Sequence, residues 1–155
     1  MRLSIIVPVY NEAPFLRRCL NSLPISEDVE AIVVDDGSTD GSAKICSEYT
    51  EQHRVILRLE NHGVSEARNL AMSKAEGDYI TFLDADDEWT PDALKQITAA
   101  IKEYPDAPVI QLNHYLEHAN GTRTVRMYNA PGYYRLRNLP KLWVSSVNKI
   151  GFVDF

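Results

Sequence analysis

The sequence predicts an α/β protein: a mostly parallel sheet with helices on both faces and a small antiparallel addition. Three observations carry that expectation. Apolar, β-branched runs alternate with amphipathic stretches in the order βαβαβαβα, the pattern of a parallel sheet with right-handed crossovers. Two of these runs stop abruptly at paired carboxylates, Asp35 with Asp36 and Asp84 with Asp86, where open α/β sheets place their ligands. After Pro105 the alternation gives way to two strand-like runs around a turn.

Taken in order, Leu3 to Val9 is almost wholly apolar and reads as a central parallel strand, with Pro8 near its end where a missing N–H is tolerated. Tyr10, Asn11 and Glu12 form a loop, and Pro14 takes a first-turn position in a helix running to about Leu23. The second strand spans Glu30 to Val34 and runs into VVDDGSTDGS. There Ser38, Thr39 and Asp40 offer acceptors to the first N–H groups of a helix over Gly41 to Gln52. A third strand, Arg54 to Leu59, leads through NHGVSEARN to a helix over Glu66 to Ala75, with Ser65 as its N-cap and Ala67, Leu70 and Ala71 at helical spacing.

The fourth strand, Tyr79 to Leu83, reads as buried on both faces and ends in Asp84, Asp86, Asp87 and Glu88. Thr90 and Pro91 then open an amphipathic helix reaching about Tyr104. Val109 to Leu116 and Thr122 to Tyr128 read as antiparallel strands around the turn His118 to Gly121. A short helix is expected at Leu139 to Ser145.

A chain of 155 residues fits one domain that buries roughly two-thirds of its unfolded surface. The formal charge of −6 argues against a nucleic-acid partner held by phosphate neutralisation. Cys19 and Cys46 fit no ligand motif and read as free buried thiols of a reducing compartment. The apolar run near the start is short and interrupted by Pro8, so it reads as a strand rather than a signal peptide. No stretch approaches the roughly 20 apolar residues of a membrane span. A cytoplasmic location is expected, with peripheral contact at the inner face of a membrane left open.

The acidic ends suggest chemistry. In extended chain, residues two apart project to one side, so Asp84 and Asp86 reach one ligand while Ala85 turns away. Two converging carboxylates repel unless a cation sits between them, and hard oxygen ligands favour Mg or Mn. Asp35 or Asp36 could accept hydrogen bonds from a base imide or ribose hydroxyls. Tyr10 could pack beside a flat base or belong to the core. Arg68 could face a pyrophosphate or form a structural ion pair. His114 and His118 lie in strand and turn rather than on a helix, and His62 reads as a solvated loop residue; none is expected to bind metal.

IIVPVYNE, VVDDGSTDGS and GVSEARNLAMSKAEGDYITFLDADDEW together resemble the family 2 glycosyltransferases of GT-A fold, well over residues 3–105 and more loosely from Leu136, with Trp143 and the NKI at 148–150. The resemblance implies transfer of a sugar, with inversion, from a nucleotide-diphosphate donor, most naturally a UDP-sugar, to a glycan or lipid-linked acceptor hydroxyl in polysaccharide or glycoconjugate synthesis. It implies that Pro8, Val9, Tyr10 and Glu12 line the nucleoside pocket and that Asp36, with Asp35 beside it, contacts the base. Asp84, Ala85 and Asp86 would form the Asp-x-Asp segment facing the donor, with Asp86 the closer ligand to Mn or Mg and Asp84 the second.

On this resemblance 1–155 is one GT-A-type domain, with 1–105 the nucleotide-sugar-binding half and 106–155 the start of an acceptor half. The family's general base is expected beyond Phe155, and Asp154 lacks its surroundings. The chain is therefore expected to be the N-terminal part of a transferase, or a module that binds donor without transferring. A phosphoaspartate hydrolase would carry its Asp-x-Asp on the first strand, and a receiver domain would not explain a metal pair on the fourth. A structural protein that has lost the site would not respond to uridine diphosphate.

Overall fold

The computed structural model describes residues 2–105, 107, 110, 112–118 and 120–126. The helix expected at 139–145, the NKI at 148–150, Trp143 and Asp154 lie outside these residues. So do Val109, Gln111, Met127 and Tyr128 of the two last expected strands. The elements are β1 (Leu3–Val9), α1 (Ala13–Ser22), β2 (Val29–Asp36), α2 (Ser42–Ser47), β3 (Arg54–Arg58), α3 (Val64–Met72), β4 (Tyr79–Phe82), α4 (Ala93–Glu103), β5 (His114–Glu117) and β6 (Arg123–Arg126). The chain divides into two compact units, Met1–Gln96 and Ile97–Phe155, with the boundary inside α4.

In the first unit the strands form a parallel sheet in the order β3-β2-β1-β4. Every residue of β1 is buried, as is all of β2 after Val29. Alternation assigns the faces: Ile6, Ile32 and Val34 meet Ala67 and Ala71 of α3, with Ile56, Ile80 and Phe82 packed around them. The two alanines let the helix lie close to the sheet. Burial of each isoleucine or valine contributes roughly 1.5–3 kcal/mol. Asp36 shares this α3-facing side of β2, whereas Val33 and Asp35 point the other way. There α2 lies against β2 and β3, and α1 against α2.

The N-terminal edge of the sheet is tied by polar groups. Ser4 Oγ donates to Glu30 Oε1 at 2.6 Å, and the N–H groups of Gly77 and Glu76 donate to Ser4 Oγ at 2.9 Å and to Glu30 Oε1 at 2.6 Å. A Cβ on Gly77 would sit 2.6 Å from Ser4 Oγ and 2.7 Å from Ser4 N, so only glycine lets β4 enter this close to β1. Burial works against the charged form of Glu30, but the Ser4 hydroxyl, the Glu76 N–H, Arg2 and Arg54 together hold its carboxyl below the usual range.

Several boundaries differ from expectation. β2 runs on through Asp35 and Asp36, which pair with Leu57 and Arg58 of β3, because both carboxylates find partners inside the fold. α2 is a short helix followed by tight turns to His53. The turns bring the Tyr49 hydroxyl to Asn21 at 2.9 Å. The N-cap of α3 is Gly63 rather than Ser65. β4 is half-buried rather than buried on both faces, and among the described residues its ladder partner is β1. α4 begins at Ala93, after a turn in which the Ala93 N–H donates to the Thr90 carbonyl.

In the second unit β5 and β6 form an antiparallel hairpin, with His114 on β5 and His118 Nε2 3.1 Å from Thr124 Oγ1. Among the described residues no helix is long and apolar enough to cross a membrane.

Candidate functional site

The strand order reverses between β1 and β4: the chain steps outward from β1 through β2 to β3, then returns to the other side of β1. In open α/β sheets the crevice for a ligand lies beyond the strand ends at such a reversal. Tyr10, Asn11 and Glu12 leave β1 there, and Leu83 to Glu88 leave β4. Pro8 and Val9 are buried at the end of β1, while Tyr10 is 47% exposed.

The β1–α1 loop is held from its neighbour. Asn11, at φ 58°, sends its N–H to Ser38 Oγ at 2.9 Å, and its Oδ1 accepts the Thr39 N–H at 2.8 Å. The Glu12 N–H donates to Ser42 Oγ at 3.0 Å and the Ala13 N–H to Asp40 Oδ2 at 3.0 Å. Asp40 Oδ1 accepts both the N–H and the hydroxyl of Ser42. Asp40 thus serves the starts of two helices, while Ser38 and Thr39, expected as caps of α2, hold Asn11 instead.

Burial opposes the charged form of Asp40, but hydrogen bonds from the Ser42 hydroxyl and from the Ala13 and Ser42 N–H groups outweigh it and hold the carboxyl below its ordinary value. The N–H groups that open α1 are satisfied by protein, and its positive end already faces a carboxylate.

At the end of β2 both acids are closed in, Asp35 at 0% and Asp36 at 1% exposure. Asp36 Oδ2 accepts the N–H groups of His62 and Gly63 at 3.0 and 2.7 Å, pinning the β3–α3 loop. Its Oδ1 lies 3.1 Å from Arg58 Nη1, an ion pair whose angles fall short of a hydrogen bond. Asp35 Oδ1 accepts the Ser38 N–H at 3.1 Å, and its Oδ2 is buried without a hydrogen-bond partner. Gly37 follows at φ 77°, and a Cβ there would meet the Glu60 carbonyl carbon at 2.7 Å.

The end of β4 is open by contrast. Its chain is not extended: the Asp87 N–H donates to the Asp84 carbonyl at 3.0 Å and closes a turn in which Ala85 is buried and Asp86 exposed. The Asp84 side chain is 47% exposed, and Arg68 Nη2 donates to its Oδ1 at 2.6 Å. Arg68 is itself buried, with its guanidinium 5.5 Å from the Phe82 ring centroid.

Helix α1 holds the turn from beneath: Cys19 Sγ donates to the Asp84 carbonyl at 3.7 Å, and Ser22 Oγ accepts the Trp89 N–H at 3.0 Å. Burial, and then the fields of Asp87, Asp86, Asp84 and Glu88, push the Cys19 thiol up to about 12. Both cysteines are buried and unpaired.

Three segments meet electrostatically at Glu12. Partial burial raises its carboxyl above the ordinary value, and Asp86, Asp40 and Asp84 raise it further, in that order. A rim on which carboxylates from three loops repel one another fits a cation. Among the described residues no group of three or more His, Cys, Asp or Glu side chains could hold a metal unaided. Mg and Mn sites commonly use one or two carboxylates and complete their shell with water and phosphate oxygens. Asp86 and Asp84 fit that donor set.

Arg58, Ser42, Cys19 and Ser22 escaped the sequence reading, because each acts on a residue far along the chain. Only Asn11 carried a local signal, as one of the residue types that tolerate a left-handed backbone.

A family model described as "Glycosyl transferase family 2" matches residues 4–152. Glycosyltransferase GlyA of Streptococcus pneumoniae is 40% identical over 118 residues, covering 74% of this chain and 17% of its own length. S. aureus TarS 1–349, solved in complex with UDP-GlcNAc, superposes with a TM-score of 0.60 at 34% identity, covering 68% of this chain and 32% of that one. The mannosyltransferase PcManGT of Pyrobaculum calidifontis, solved with GDP-Man and Mn2+, gives a TM-score of 0.58 at 29% identity, covering 71% and 34%. The chain therefore spans a sixth to a third of the length of these proteins.

Proposed function

Because the chain belongs to glycosyl transferase family 2, with the GT-A arrangement of a mostly parallel sheet, we propose that it forms the donor-binding part of an inverting glycosyltransferase. It takes a nucleotide-diphosphate sugar, a UDP-sugar first, whose sugar passes to an acceptor hydroxyl. The observation that carries this reading is the reversal of strand order, which sets the Tyr10–Glu12 loop at the end of β1 beside Asp84 and Asp86 at the end of the neighbouring strand β4.

A diphosphate is an anion, and an acidic rim repels it. Many nucleotide-binding α/β proteins hold phosphate on the N-terminus of the first helix. Here that role is closed, since Asp40 and Ser42 already take the Ala13 and Glu12 N–H groups. The phosphates need a counter-charge from elsewhere, and Asp86 with Asp84 would hold it as Mn or Mg. When bound, that cation would neutralise the diphosphate as it leaves the sugar.

The protein's own groups supply placement. Arg68 fixes the Asp84 carboxylate, while Cys19 and Ser22 fix the turn that carries Asp86. Tyr10 offers an exposed ring to the base beside the buried ends of Pro8 and Val9. Each acid of the β2 pair keeps one oxygen without a hydrogen bond, Asp35 Oδ2 and Asp36 Oδ1, so either could accept a base N–H, although both are buried and Oδ1 of Asp36 lies beside Arg58.

The test is binding of uridine diphosphate with and without Mn, by thermal shift and calorimetry, followed by release of the nucleotide from a UDP-sugar. At a hundred times its dissociation constant the ligand stabilises the fold by about 2.7 kcal/mol. Affinity that is absent, or indifferent to Mn, overturns the reading.

A further inference from the structure

We infer that Asp40 is a positioning residue that holds the Tyr10–Glu12 loop in the conformation receiving the donor's nucleoside; the inference rests on the donor-binding reading above. The loop is exposed at Tyr10 and Asn11, and Asn11 occupies a left-handed conformation that a non-glycine residue adopts at a cost. Its anchors come from the β2–α2 loop and the first residue of α2: the N–H groups of Asn11, Glu12 and Ala13 donate to the side chains of Ser38, Ser42 and Asp40.

Asp40 stands at the head of that arrangement. Its Oδ2 accepts the Ala13 N–H directly, at 3.0 Å. Its Oδ1 accepts the Ser42 hydroxyl hydrogen at 2.7 Å, which leaves a lone pair of Ser42 Oγ for the Glu12 N–H at 3.0 Å. The relay therefore has one direction, from the Glu12 N–H to Ser42 and from Ser42 to Asp40. Both carboxylate oxygens are needed as acceptors. An asparagine of the same shape has only one, so one of its ends must set an N–H against an N–H.

Asp40→Asn tests this with little change of volume. The expected result is a melting temperature a few degrees below wild type, since one helix start loses its acceptor, faster amide exchange at Glu12 and Ala13, and affinity for uridine diphosphate with Mn about tenfold weaker, as follows when the competent loop conformation falls to about a tenth of the population. Ser42→Ala is the second variant, because it deletes the hydroxyl that links the Glu12 N–H to Asp40 while keeping the direct Ala13 contact. It is expected to weaken affinity in the same direction, and it decides the matter if Asp40→Asn does not fold. Wild-type protein that does not bind the nucleotide overturns the donor reading and this inference with it. Wild-type protein that binds, with a folded variant binding equally tightly, overturns this inference alone.

Discussion

β2 and β4 end in the same grammar, an apolar run followed by paired carboxylates, and the fold treats the two ends in opposite ways. Asp36 is 1% exposed and its oxygens face two loop N–H groups and Arg58. The Asp84 side chain is 47% exposed and Asp86 more open still. The difference lies in the neighbours. β2 sits between β1 and β3, and the β3–α3 loop folds over its end. The chain leaving β4 closes into a turn at the reversal of strand order, with Ala85 buried and Asp86 exposed. A carboxylate pair after a strand stays open to solvent where the fold leaves that end uncovered, and becomes a brace where it does not.

The largest expected effect follows from removing the brace. Asp36→Ala leaves Arg58 without its counter-charge and two N–H groups without an acceptor, so urea denaturation should show a loss of about 3 kcal/mol or more. Gly37→Ala tests the same brace through the backbone. The new methyl group would meet the Glu60–Asn61 peptide at under 3 Å from a residue at φ 77°, and the combined strain and overpacking should cost about 3 kcal/mol. A loss below about 0.5 kcal/mol in either variant would mean that the β3–α3 loop does not lie where Asp36 holds it.

Asp86→Ala is the counterpart on the open side. Stability without ligand should change by less than about 0.5 kcal/mol, because an exposed carboxylate in a surface turn braces nothing. The stabilisation of about 2.7 kcal/mol conferred by uridine diphosphate with Mn should disappear. Should Asp36→Ala and Asp86→Ala lose equal stability, the two ends would not differ in kind.

How far the sequence foretold this contrast depends on the range of each interaction. β1 and β2 were legible because an uninterrupted β-branched run has few ways to be buried other than as an inner parallel strand. The half-burial of β4 was not, since a strand's neighbours in the sheet are not written in its own residues. The start of α3 moved because the Gly63 N–H is claimed by Asp36, 27 residues earlier. Ser38, Thr39 and Asp40 were recognisable as capping types, but capping rules look a few residues ahead along one chain, whereas Asp40 caps α1 from another loop. The acidic residues themselves stood out, yet which pair was closed in depended on Arg58 and on Gly37 lying against the Glu60 backbone.

The smallest effect concerns Glu12, where the open rim reaches the end of β1. Its carboxyl is raised first by partial burial and then by Asp86, Asp40 and Asp84, so in the folded state the charged form is disfavoured. A raised acid destabilises the fold once the pH exceeds the folded value and costs nothing below the unfolded one. Glu12→Gln should therefore be slightly more stable than wild type at pH 7, by no more than about 0.5 kcal/mol given its solvent exposure, with the gap closing as the pH falls into the carboxylate range. Mn with uridine diphosphate should narrow the gap at pH 7 as well, because the cation quenches the field that Glu12 feels. Urea denaturation at both pH values, with and without the ligand, measures all of this. A glutamine variant less stable than wild type at pH 7 would mean that Glu12 is held by an attractive contact, and that the ends of β1 and β4 do not share one acidic rim.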